Sequence, residues 1–263
     1  MNVKFLRRFY IAVIFIFMYA PILVMILFSF NAGDTRGRFT GLSLVHYGEL
    51  FKDDMLLSAL KNTFVLGILA ALISTLFGTY AAIIISKMKP FQKSFALNLN
   101  NFPVVNPEIV TGISLMLFFV FLTLPLGFFT VLLAHISFCV PYVVLSVLPR
   151  LRQLNSSIYE AALDLGATPS MAFFKVVLPD LMPGITSGLL LAFTLSIDDF
   201  IISYFTAGAE FVNLSIVINN YTKRKIPLSI NALSTLIFVI VFAILIIINV
   251  RGPVKETSKT SGR

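Results

Sequence analysis

The chain has 263 residues, of which 58% are hydrophobic and only 12% charged. A soluble domain carries roughly 25% charged residues, so this composition cannot dress a water-facing surface and excludes a soluble enzyme. In a soluble protein the net charge of +8 would point to nucleic acid; in so apolar a chain it marks loops on one face of a membrane, where Lys and Arg collect.

Uncharged runs place six spans in a single all-α, polytopic membrane domain covering 1–263. The first, 9–30, follows Lys4, Arg7 and Arg8. It exceeds the ~7–15-residue apolar core of a signal peptide and lacks a small-residue cleavage site, so it reads as a retained span. The second, 60–86, is followed by Lys87, Lys89 and Lys93. Its Gly67, Ser74 and Gly78 serve close helix packing. The uncharged run 109–149 is too long for one crossing of about 20 residues. Thr123-Leu124-Pro125-Leu126-Gly127 divides it into a hairpin of spans 101–122 and 127–149. A polar loop, 150–181, precedes the fifth span, 182–207, which Asp198-Asp199 interrupts. The sixth, 227–250, is followed by a polar tail, Glu256–Arg263, expected to be disordered. Six spans put both termini on one side. Loops on that side hold the larger share of Lys and Arg, which gives N-in/C-in, although Lys223-Arg224-Lys225 falls on the other side.

The loop 150–181 reads as an elbow of two short helices. Ser157-Ile158-Tyr159-Glu160 fits a capping box, and Gly166 suits a left-handed C-cap. Thr168-Pro169 supplies an N-cap and an N1 proline for the second helix. Leu178-Pro179 and Met182-Pro183 are expected to end it. The elbow presents alanines, Met171, Phe173 and Phe174, either to its own bundle or, as aromatic anchors, to a soluble partner.

Three of the twelve acids fall within the spans, Glu108, Asp198 and Asp199, with no Lys or Arg in a span interior to neutralise them. A charge at a helix centre costs about 2.5–3.5 kcal/mol on insertion scales, so such groups face a cavity or a partner. An unmatched acidic set along a path suits a polycationic substrate. Adjacent helical residues lie about 100° apart, so one Asp faces the path while the other orients neighbouring polar groups; Asp198 is assigned to the path, with the reverse left open. A helix kink capped by carboxylates is the competing account of the pair. Glu108, after Pro107, also fits the first turn of a helix, where the dipole favours acids. Ser196 can donate to the same site, and Tyr19 on the first span either offers a cation–π face to an ammonium or packs at the interface. The lone Cys139 permits no internal disulfide, and with His46 and His135 as the only histidines no metal site is expected. Cys139 and His135 read as packing residues.

Glu160-Ala161-Ala162, Gly166 and the closing Val177-Leu178-Pro179 resemble the EAA loop of ABC importer permeases. His135–Cys139, Phe193–Asp199 and Pro107–Ser114 are similar to the second permease subunit of spermidine/putrescine importers, although that group often has Asp where Glu108 stands. The resemblance implies a type I importer permease fold in a bacterial cytoplasmic membrane. It implies alternating access for polyamines and an elbow docked on an ATPase through Glu160, Ala161, Ala162, Gly166, Leu178 and Pro179. It further implies a sister permease, two ATP-binding subunits and an external polyamine-binding protein. No Gly is followed by Lys anywhere, so the chain has no phosphate-binding loop; ATP and Mg²⁺ would belong to the partner ATPase, and no cofactor to this chain. The alternatives are a permease for another cationic solute, a proton-coupled secondary transporter whose acids relay protons, and a structural subunit, which leaves the acids without a role.

Overall fold

A computed structural model describes residues 3–33, 38–154, 156–223 and 227–251. Along the chain the helices are α1 (Val3–Ser29), α2 (Val45–Leu50), α3 (Asp54–Lys87), α4 (Pro90–Val105), α5 (Glu108–Phe121), α6 (Phe128–Gln153), α7 (Ser156–Asp164), α8 (Pro169–Ala172), α9 (Leu178–Asp198), α10 (Ile201–Thr206), α11 (Leu214–Thr222) and α12 (Ser229–Arg251). Beyond one isolated bridge, Asn31 to Leu42, there is no β-structure among the described residues. Arg224, Lys225 and the tail Glu256–Arg263 lie outside them.

Four helices are long and apolar enough to cross a membrane: Phe5–Ser29, Asp54–Lys87, Phe128–Gln153 and Pro169–Asp198. A fifth crossing results if α4 and α5 count as one, but they are bent by 103°. The expected span 101–122 is therefore two helices meeting at Asn106 and Pro107, both extended, with ψ of 143° and 134°. The proline ring disfavours the helical region for the residue before it, and Asn106 is extended accordingly. The sixth expected run is covered by α12, of which Ser229–Ala243 is counted as a shorter apolar helix.

The chain divides into two compact units, 1–57 with 220–263, and 58–219. In the first, α12 packs against both α1 and α2. The Ser29 hydroxyl lies 2.9 Å from Tyr47 Oη, and Phe30 packs on the Tyr47 ring at 5.3 Å. Large apolar side chains along α1 are exposed, as a lipid-facing or partner-facing helix requires.

The second unit is organised by α6 and α9, which lie antiparallel. Gly184, Gly188, Ala192 and Ser196, one per turn on α9, meet Val147, Val143, Cys139 and His135 on α6. A Cβ on Gly188 would lie 3.3 Å from Val143 Cα, so this small-residue stripe sets the close approach of the two backbones. Helix α3 closes on the same pair. Its Gly78 abuts Val143, its Ser74 hydroxyl donates to Ile136 O at 3.4 Å, and its Gly67 abuts Ile197. These are the packing roles expected from the sequence.

The hairpin between α5 and α6 forms where Thr123–Gly127 predicts it. Gly208, at φ +65°, is pressed against it: a Cβ there would sit 2.7 Å from Leu126 O. Gly208→Ala combines a left-handed strain with a backbone clash, each costing on the order of 1–2 kcal/mol. It should lower the thermal midpoint of the detergent-solubilised chain by about 5 °C or more. Gly48→Ala, in helix α2 with nothing within 4 Å of the added carbon, should not lower it and should raise it slightly. Fluorescence-detected size-exclusion chromatography after heating reads both.

Candidate functional site

Two helical interruptions carry the three intramembrane acids. Helix α9 ends at Asp198, and Asp199 is extended, with ψ 124°. No Pro or Gly lies between Ser196 and Ser203, so side chains impose this break. Asp199 Oδ1 accepts from the Ile202 amide at 3.1 Å, and Oδ2 from the Ser203 amide at 2.7 Å. The carboxylate thereby caps the amides that open α10.

The imidazole of His135, fully buried on α6, secures the same carboxylate. Its Nε2 lies 3.2 Å from Asp199 Oδ2 and 3.0 Å from Ser203 Oγ; its Nδ1 lies 2.6 Å from Ser196 Oγ. Asn213 Nδ2 donates to Ser203 Oγ at 2.8 Å, and Asn213 Oδ1 accepts from the Ile216 amide at 3.1 Å, which ties the cluster to α11. The start of α11 is anchored in turn on α3, since the Leu214 amide donates to Thr63 Oγ1 at 2.8 Å and Asn62 Nδ2 to Val212 O at 2.9 Å.

The two aspartates therefore have different surroundings. Asp199 is only 9% exposed and bonded from several sides, whereas Asp198 is exposed and its carboxylate forms no hydrogen bond or ion pair among the described residues. The kink-capping role belongs to Asp199. Ser196 is 1% exposed and held by His135, which places it in the buried cluster behind the break.

Glu108 opens α5 in the first turn, and its side chain is exposed and unpaired. Helices α5 and α10 run side by side in the same direction: Gly112 abuts Ile201 and Ile202, and Leu126 of the hairpin abuts Gly208. Glu108 lies one turn before Gly112, so it occupies the end of α5 that neighbours the break. Irregular backbone at membrane depth is tolerated where it is buried in protein or lines a cavity, and broken helices with exposed polar ends are the usual material of transporter binding sites. Tyr19 belongs to α1 in the other unit, where it stacks on Phe15 at 5.9 Å and is about half exposed.

The elbow takes its expected shape at Gly166. At φ +86° this residue closes α7 with two bonds, its own amide to Leu163 O at 2.9 Å and the Ala167 amide to Ala162 O at 3.1 Å. Helix α7 begins at Ser156, one residue before the expected cap Ser157. Thr168 caps α8, accepting from the Met171 amide at 3.3 Å, with Pro169 behind it. Leu178-Pro179 and Met182-Pro183 do not end this helix. Phe173–Val177 forms a π-turn, and the helix continues over 30 residues from Pro169 to Asp198. The Leu178 amide already bonds five residues back, to Phe173 O; with the ladder shifted there, the missing donor of Pro179 is accommodated. Glu160, Ala161, Gly166 and Pro179 are exposed, and Ala162 and Leu178 half-buried. Around them Ile158, Leu165, Met171 and Phe174 are exposed, Leu165 to 90%.

Reading from the sequence missed the cluster of His135, Ser203 and Asn213. A lone histidine in an apolar run gives no sign of its partners. The i, i+4 spacing of Gly184, Gly188, Ala192 and Ser196 was a usable signal for the α9 stripe.

A helical membrane protein with carboxylates at two broken spans and an exposed elbow at the foot of one of them has the features of a transport permease. The chain belongs to the family described as binding-protein-dependent transport system inner membrane component, whose profile matches residues 74–252. It is a transport component and not an enzyme. It is 40% identical over 231 residues to the putrescine transport system permease protein PotI of Escherichia coli (strain K12), covering 85% of this chain and 82% of the relative. It is 32% identical over 243 residues to the spermidine/putrescine transport system permease protein PotC of Haemophilus influenzae, covering 92% and 95%. In fold it is similar to a solved bacterial ABC transporter involved in import of the acidic polysaccharide alginate, with TM-score 0.74 and 14% identity over 95% of this chain and 96% of that one.

Proposed function

We propose that this chain is one permease subunit of an ATP-driven polyamine importer, and that Asp198 and Glu108 line its half of the cation path. The observation that carries this reading is the pair of exposed carboxylates without basic partners at the breaks of neighbouring spans, Asp198 beyond α9 and Glu108 at the head of α5. In a site of reduced dielectric an ammonium replaces water around such carboxylates at a good exchange. The names of the relatives support the substrate class, and putrescine is common to both.

In this reading a sister permease completes the path and an external binding protein delivers the polyamine. Two ATPase subunits, holding ATP and Mg²⁺, close beneath the elbow. The elbow and both termini face the cytoplasm, in line with Arg150, Arg152 and Lys175 on the elbow side. The unbroken helix from Pro169 to Asp198, about 45 Å at 1.5 Å per residue, connects the docking surface to the path carboxylate. Movement of the elbow thus reaches Asp198 through one rigid element, and alternating access follows from rocking it.

The test is uptake of radiolabelled putrescine into vesicles that hold the assembled complex and binding protein. Uptake that requires internal ATP and survives a protonophore is the expected result. Uptake driven by a pH gradient without ATPase would replace this reading with a proton-coupled carrier.

A further inference from the structure

The break beside Asp198 differs in kind from the one beside Glu108. Pro107 favours the latter through its own ring, which biases Asn106 toward the extended region it adopts. Between Ser196 and Ser203 nothing in the backbone chemistry opposes a continuous helix, so the break exists only as long as its side-chain partners hold it. Three of them converge on one ring, while Ser215 Oγ donates separately to Ile197 O at 3.3 Å. His135 reaches Ser196 on the α9 side of the break, Asp199 within it and Ser203 on the α10 side, at 2.6, 3.2 and 3.0 Å.

We propose that His135 is a positioning residue for the substrate path: by clamping both sides of the α9–α10 break, it fixes the direction in which Asp198 presents its carboxylate. This rests on Asp198 being the path carboxylate. The proton arrangement is consistent with a clamp. Asp199 as a carboxylate only accepts, so the proton between it and His135 belongs to Nε2. The Ser196 hydroxyl then donates to Nδ1 of the neutral ring, or accepts from it in the charged ring; either way both nitrogens are engaged. Ser203 Oγ accepts from Asn213, so α11 braces the same point. With Ser196, Asp199 and Ser203 engaged by the buried ring, Asp198 is left exposed. Loss of the ring would leave Asp199, Ser196 and Ser203 short of partners in a dry interior, and the chain would regain bonds by extending α9 toward α10.

The experiment reads the position of residue 198 directly. Asp198→Cys is introduced into the full chain, expressed with its partner subunits, and the rate of modification by a membrane-impermeant cationic thiol reagent is followed by mass spectrometry of this chain; the native Cys139 is fully buried. The measurement is repeated with His135→Leu, His135→Gln and Ser196→Ala. In parallel, the same three changes in the Asp198 background are assayed for putrescine uptake per assembled complex and for basal ATPase rate. In complexes that assemble, His135→Leu should change the labelling rate at least about threefold and cut uptake about tenfold, as expected for loss of the ring's three buried contacts. Ser196→Ala, which removes one oxygen from the clamp, should shift both by about threefold. His135→Gln, whose amide nitrogen reaches toward Asp199, should restore both to near the parent values. Labelling and uptake that stay at parent rates in every variant that assembles would overturn the proposal. Should His135→Leu not assemble, Ser196→Ala decides it alone. Failure of the polyamine reading is seen separately, as normal uptake by Asp198→Asn, because the labelling arm needs no substrate.

Discussion

Asp198→Asn should reduce putrescine uptake by about 10- to 100-fold, the range set by loss of one charge-assisted contact of roughly 1.5–3 kcal/mol. Assembly should be untouched, because the exposed Asp198 carboxylate forms no hydrogen bond or ion pair among the described residues of its own chain. The neighbouring Asp199→Ala should behave in the opposite way. That carboxylate accepts the Ile202 and Ser203 amides and lies against the buried His135. Removing one partner of a buried pair costs about 3–5 kcal/mol, enough to deplete the folded subunit from the membrane. Co-purification with the partner subunits, measured beside uptake per complex, separates the two. Asp198→Asn should retain assembly and lose transport; Asp199→Ala should lose both together. Equal behaviour of the two variants would remove the distinction between a path carboxylate and a cap. Glu108→Gln should fall between wild type and Asp198→Asn, since its place in the first turn of α5 already gives the acid a local use at the helix dipole.

The division of labour within Asp198-Asp199 was half legible in the sequence. Two adjacent acids on a helix point about 100° apart, so the sequence required different roles, and the extended Asp199 is the one that caps. It could not say what faces each carboxylate, because His135 lies 61 residues away from Ser196 along the chain. Gly166 and Thr168-Pro169 were legible for a local reason: caps depend on residues within one turn, and the left-handed φ and the Thr168 bond both occur where expected. Proline was read less well. Pro107 breaks the third span where a continuous one was expected, while Pro179 and Pro183 fail to end the helix from Pro169 to Asp198. The difference lies in the neighbouring backbone: Asn106 takes the extended region that a following proline favours, whereas Leu178 stays helical before Pro179, where a π-turn has already shifted the hydrogen-bond ladder. That context is tertiary, and hydropathy carries no trace of it.

The other large effect belongs to the elbow. Leu165 is 90% exposed, immediately before the left-handed Gly166, with Ile158, Met171 and Phe174 exposed around it. In the proposed assembly the ATPase covers this side chain, and burying a leucine is worth about 1.5–3 kcal/mol. Leu165→Asp replaces that gain with the desolvation of a charge. It should weaken ATPase binding by 100-fold or more, on the order of 3 kcal/mol, and transport should fall with it. The amount of this chain in the membrane should hold, because Leu165 is 90% exposed and contributes little to the fold of its own chain. Gly166 gives an independent check on the shape of the same surface. Gly166→Asn keeps a residue that tolerates the left-handed region and should retain transport; Gly166→Val, β-branched at φ +86°, should lose ATPase at an unchanged membrane level. Pull-down of the ATPase on each variant, with uptake measured in parallel, reads the series. Retention of ATPase by both Leu165→Asp and Gly166→Val would mean that the elbow packs on lipid or on its own bundle, and the rigid path from elbow to Asp198 would then have nothing to drive it.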